Sequence, residues 1–117
     1  MKDTLLKIIR HFGVNHQKRK FGEECNELKE AITEYELAKR TNRLLMKVDS
    51  NAYLDLKAFK NHIIEEIGDV YVVLLQFQEY YGIETEEVVR NMLGKIKRTE
   101  KIVEDEINNI QTIRDKS

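Results

Sequence analysis

At 117 residues with a formal net charge of −1, the chain fits one domain with a modest core and gives no electrostatic case for a nucleic-acid partner. Its 41% apolar and 35% charged content is the mix of a soluble helical protein, and its longest apolar run, residues 70–75, is too short to span a bilayer. The single cysteine, Cys25, excludes an intrachain disulfide and suits a reducing compartment, and with no proline nothing interrupts long helices.

The first predicted helix covers residues 3–12. Its TLLKIIRHF stretch is amphipathic rather than continuously apolar, so no signal-peptide pattern is present and a cytoplasmic protein is expected. Gly13 ends it. The second helix is predicted over residues 15–40, with an apolar stripe of Phe21, Cys25, Leu28, Ile32 and Tyr35 at alternating spacings of four and three. Residues 41–56 lose this pattern around Asp49-Ser50-Asn51 and read as a connector. The third helix, residues 57–81, stops at Gly82 and carries the stripe Ile63, Ile67, Val70, Leu74 and Phe77. Thr85 is placed to N-cap the fourth, where Glu86 and Glu87 suit the helix dipole. Its stripe runs through Val89, Met92, Leu93, Ile96, Val103, Ile107 and Ile110, with Gly94 a weak point and fraying expected after Ile113. Strand-like alternation and linkers are absent. The expected architecture is one all-α domain, residues 1–117, a helical bundle built on an antiparallel hairpin of the second and third helices.

Phe21 and Ile63 open equivalent stripes, and acids follow each at the same two offsets: Glu24 and Glu27, then Glu66 and Asp69. At about 100° per residue, the first acid of each pair lies roughly 60° from the stripe centre and the second roughly 120° away on the same side. Antiparallel packing of the two helices then brings four carboxylates to one side of the seam. Such a group repels itself unless a cation sits within it, and hard oxygen ligands suit Mg²⁺ or Mn²⁺. Asp69 and Gly68 add to the case. Both are poor helix formers, and they stand at the entry to VYVVLL, which is apolar all round.

Other chemistry-bearing residues have simpler readings. Cys25 lies on an apolar stripe and belongs to the core. His11 and His16 flank a turn without a partner pattern, and His62 with Glu65 gives HxxE, the reverse of the ExxH spacing of di-iron bundles. Tyr80 and Tyr81 at a helix end pack rather than bind, and Glu30 and Glu34 continue a charged face.

The segments HQKRKFGEECNELKEAI and IIEEIGDVYVVLLQF resemble the EExxE and ExxD halves of the MazG-like, all-α nucleoside triphosphate pyrophosphohydrolases. YGIETEEVVRNMLGKIKR resembles the segment that follows them, so the likeness covers about residues 14–104. It implies Mg²⁺ held by Glu24, Glu27, Glu66 and Asp69. It implies Glu23 and Glu24 in catalysis, with Glu23 either an additional ligand or a helper orienting water, and Gln17, Lys95 and Arg98 on the substrate. The implied reaction converts a nucleoside triphosphate to the monophosphate and pyrophosphate in a homodimer or homotetramer, with neither nucleic acid nor membrane as partner. Two departures stand out: the stretch between Glu27 and Glu66 is longer than usual, and Leu93 stands where many relatives have asparagine. Phosphoribosyl-ATP pyrophosphohydrolysis is the neighbouring enzyme reading. A silent helical interaction module, its acids only a charged face, is the reading from another class.

Overall fold

The computed structural model describes residues 1–116, which form four helices and no strand: α1 (Lys2–Phe12), α2 (Val14–Val48), α3 (Leu56–Tyr80) and α4 (Thr85–Lys116). Two compact units result, Met1–Tyr81 with α1 to α3 and Gly82–Ser117 with α4. None of these helices is long and apolar enough to cross a membrane among the described residues.

In the first unit, α1 buries Leu5 and Ile9 and packs on α3 and α2. Gly13 closes it by donating its N–H to the Ile9 carbonyl at 2.8 Å, with φ at 89°. An L side chain is strained at that φ, so glycine lets the chain turn there and start α2 at the next residue.

α2 and α3 run antiparallel, because contacts early in α2 go to the end of α3 and contacts late in α2 go to its start. Gln17 meets Gln76, Phe21 meets Phe77 edge to face at 6.4 Å, and Asn42 meets Leu54 just before α3. The predicted connector of residues 41–56 shrinks to residues 49–55, since α2 continues to Val48. Nothing in TNRLLMKV breaks a helix, and half-buried Asn42 and Leu45 extend the inward-facing row. The Asn42 amide donates to the Leu54 carbonyl at 3.0 Å and accepts from the Leu54 N–H, tying the returning chain to the helix. Asp55 then caps α3, its Oδ1 accepting from the Lys57 N–H at 2.9 Å.

The helices meet along rows that alternate spacings of three and four. On α2 the row is Gln17, Phe21, Glu24, Leu28, Ala31, Tyr35 and Ala38; on α3 it is Phe59, Ile63, Glu66, Val70, Val73 and Phe77. Every one of these residues is buried or half-buried, a coiled-coil seam of period 3.5. The predicted stripes are therefore slightly out of phase, because Ile32, Ile67 and Leu74 are exposed. The physical reason lies in α3, which carries a second apolar row, Ile64, Ile67, Tyr71 and Leu74, one residue on from the first. The sequence stripe averages the two rows.

In the second unit, α4 starts on the Glu84 carbonyl, which accepts from the N–H groups of Glu87 and Val88. Glu84 is thus the cap and Thr85 the first helical residue. The helix reaches Lys116, past the point where fraying is expected. Arg114 and Lys116 favour the C-terminal dipole, and a Gln111–Asp115 hydrogen bond of 3.1 Å spans the last turn. Gly94 does not interrupt it, and Val89, Met92, Leu93, Ile96, Val103, Ile107 and Ile110 stay exposed along its length.

Candidate metal centre

Midway along the hairpin seam the two acid pairs come together. One carboxylate oxygen from each of Glu24, Glu27, Glu66 and Asp69 lies within 4.8 Å of the other three. The corrected seam phase changes their roles. Glu24 and Glu66 are not displaced to one flank but occupy the seam, 5% and 8% exposed, while Glu27 and Asp69 sit at its solvent edge. The site therefore has a buried floor of two carboxylates and an open rim of two.

Burial makes the floor costly. Glu24 Oε2 and Glu66 Oε2 are both sequestered from solvent with no hydrogen-bond partner. A carboxylate oxygen in that state forgoes hydration without compensation. The like charges also act on Glu27, which is held above the usual carboxylate range, foremost by repulsion from Glu24 and then by desolvation and by Glu66. Four hard anionic oxygens, two of them orphaned, form a donor set that fits a divalent cation such as Mg²⁺ or Mn²⁺.

Two basic side chains touch the floor, and sequence reading assigned neither to the site. Lys20 Nζ lies 2.9 Å from Glu24 Oε1, and this hydrogen-bonded pairing raises the lysine above its ordinary value. His62 Nδ1 lies 3.8 Å from Glu66 Oε1 as well as 4.0 Å from Glu65 Oε2. Each helix thus places a basic residue four positions ahead of its buried glutamate. That spacing is visible in the sequence, but it draws notice only once Glu24 and Glu66 are known to be buried.

Gln17 is buried in the seam. Its Nε2 donates to Gln76 Oε1 at 2.8 Å, and its Oε1 accepts from His16 Nδ1 at 2.7 Å. The His16 ring stacks on Phe12 with centroids 5.0 Å apart. Gln17 stands seven residues before Glu24, and Gln76 seven residues after Asp69. A buried, mutually hydrogen-bonded amide pair specifies register, because sliding either helix leaves an amide unpaired. The pair therefore holds the acids opposite one another. Gln76 has no sequence motif; its burial and its hydrogen bond to Gln17 reveal it.

The remaining candidates are placed plainly. Glu23 is exposed and stands outside the group of four. Cys25 is a free, half-buried thiol. Tyr80 and Tyr81 pack edge to face at 5.0 Å. Lys95 and Arg98 belong to the second unit, exposed on α4.

The family model of the MazG nucleotide pyrophosphohydrolase domain matches residues 12–103, a span that contains both acid pairs. No curated protein and no solved structure matches the chain.

Proposed function

Since the chain belongs to the MazG nucleotide pyrophosphohydrolase domain family, we propose that it hydrolyses nucleoside triphosphates to the monophosphate and pyrophosphate with a divalent cation. The observation that carries this reading is the convergence of four carboxylates within 4.8 Å, two of them with orphaned buried oxygens. Glu24, Glu27, Glu66 and Asp69 would hold Mg²⁺, with Mn²⁺ also suited to the set. When bound, such an ion neutralises phosphate charge and acidifies a coordinated water.

The chain's own residues do the rest. Glu24 and Glu66 are fixed by the seam and give the site its rigidity. Glu27 and Asp69 lie at the rim, where a triphosphate can approach. Glu23, exposed one position before Glu24, takes the proton of the water attacking the α-phosphorus. Lys95 and Arg98, exposed on α4, are the residues the family resemblance implies for the substrate phosphates. Gln17, its amide already engaged by Gln76 and His16, serves as a positioning group rather than a substrate contact.

The active form in this reading is a homodimer or homotetramer. The exposed row Ile64, Ile67, Tyr71 and Leu74 on α3 and the exposed stripe of α4 support it, as does a core in which Ile9 is the one large side chain fully buried among the described residues. The family match runs through both compact units, which supports treating residues 1–117 as a single functional domain.

Product analysis tests the proposal. The purified chain is offered nucleoside and deoxynucleoside triphosphates, and separately phosphoribosyl-ATP, with Mg²⁺ or with chelator. Pyrophosphate appearing only with the metal supports it. Turnover of phosphoribosyl-ATP alone moves the assignment to the neighbouring reaction. Orthophosphate as the first product, or no turnover of any substrate, overturns it.

A further inference from the structure

We propose that Lys20 is a resident counter-ion of the carboxylate cluster, displaced from Glu24 when a divalent cation binds and thereby setting the affinity of the site. The inference rests on the metal-centre reading above and adds a determinant outside the ligand set.

Lys20 Nζ occupies the charge position beside Glu24 that a cation would compete for, 2.9 Å from Oε1. The partners differ in freedom. The lysine side chain is 48% exposed and the glutamate 7%, so the ammonium can withdraw into water while the carboxylate stays. Helix geometry does little to hold the pair, because lysine N-terminal to glutamate at this spacing is the weaker order. What draws Lys20 in is the negative charge around it, from Glu24 first and also from Glu23 and Glu27.

That attraction reverses when a divalent charge arrives. A lysine ammonium left beside a doubly charged ion is repelled by it, and the ion offers Glu24 a stronger electrostatic partner. Lys20 therefore leaves as the ion enters, and the energy of the lysine–glutamate pair is subtracted from that of metal binding. Lys18 gives an internal comparison. It is exposed and carries the same charge two positions away, roughly 200° around the helix from Lys20.

The test is a calorimetric Mn²⁺ titration of the full chain at fixed ionic strength, without substrate, for wild type, Lys20→Met, Lys20→Gln and Lys18→Met. Far-UV circular dichroism checks that each variant keeps its helices. Both Lys20 variants are expected to bind Mn²⁺ about three- to tenfold more tightly than wild type, and Lys18→Met to stay within about twofold. Wild-type binding with no tightening in the Lys20 variants overturns the counter-ion. Equal tightening in Lys18→Met also overturns it, since net charge would then account for the effect. No Mn²⁺ binding by wild type overturns the metal centre itself.

Discussion

Replacing Glu66 with glutamine should make the chain more stable and less active at once. Glu66 is buried, shares a 4.8 Å neighbourhood with three other carboxylates, and has one oxygen without a partner. In water each like-charge pair at that separation is worth about 1 kcal/mol, a figure that suits the pairs with exposed Glu27 and Asp69 and is a lower bound for the buried Glu24–Glu66 pair. Removing one charge relieves up to three such pairs. The same repulsion is seen at Glu27, held above its ordinary value foremost by Glu24. The expected net gain is about 1–3 kcal/mol without metal, or roughly 4–12 °C in Tm for a chain of this size. Scanning calorimetry in chelator at fixed protein concentration reads it, and fixing the concentration removes any contribution from assembly. With saturating Mg²⁺ the order should invert, because wild type gains the binding energy of the ion and Glu66→Gln gains much less. A fall in Tm for Glu66→Gln in chelator would show that the four acids are not in mutual conflict and would refute the reasoning.

Three further outcomes follow from the same geometry. Gln76→Leu strands the buried Gln17 amide and should cost about 1–3 kcal/mol in denaturant unfolding. The double variant Gln17→Leu/Gln76→Leu should recover most of that stability but not pyrophosphate release, since register is lost while burial is restored. Glu27 has a raised folded pKa, so the stability it lends is present below its unfolded value and is lost as pH rises through the folded one. The Tm increase on adding Mg²⁺ should therefore be larger at about pH 7 than at about pH 5; an increase that shrinks as pH rises contradicts this. Light scattering on the purified chain should give a dimer or tetramer, and Ile67→Glu/Leu74→Glu should dissociate it while retaining helicity. A monomeric wild type removes the assembly from the account.

Much of this was legible in the sequence because helices announce themselves by period and by breakers. Gly13 and Gly82 mark real boundaries, and the offsets of Glu24, Glu27, Glu66 and Asp69 within two stripes foretell that they meet. Phase was not legible to better than about one residue position. α3 is apolar on two adjacent rows, so a stripe drawn through Ile63, Ile67 and Val70 falls between them, and the acids come out beside the seam instead of in it. That small error hides the burial of Glu24 and Glu66, and with it the significance of Lys20 and His62. The extension of α2 to Val48 escaped for a different reason. Asp49-Ser50-Asn51 does break the helix, but the loosened apolar pattern ahead of it looked like the break itself. The stretch holds because Asn42 grips the backbone of Leu54, a long-range contact no local pattern contains.

The central claim, that this carboxylate cluster directs water to the α-phosphorus of a nucleoside triphosphate, is tested most directly by turnover in ¹⁸O-labelled water followed by mass spectrometry of both products. With Mg²⁺ the label is predicted in the nucleoside monophosphate and absent from the pyrophosphate, and Glu24→Gln should release neither product at a measurable rate. Label in pyrophosphate, release of orthophosphate as the first product, or undiminished turnover in chelator would contradict it.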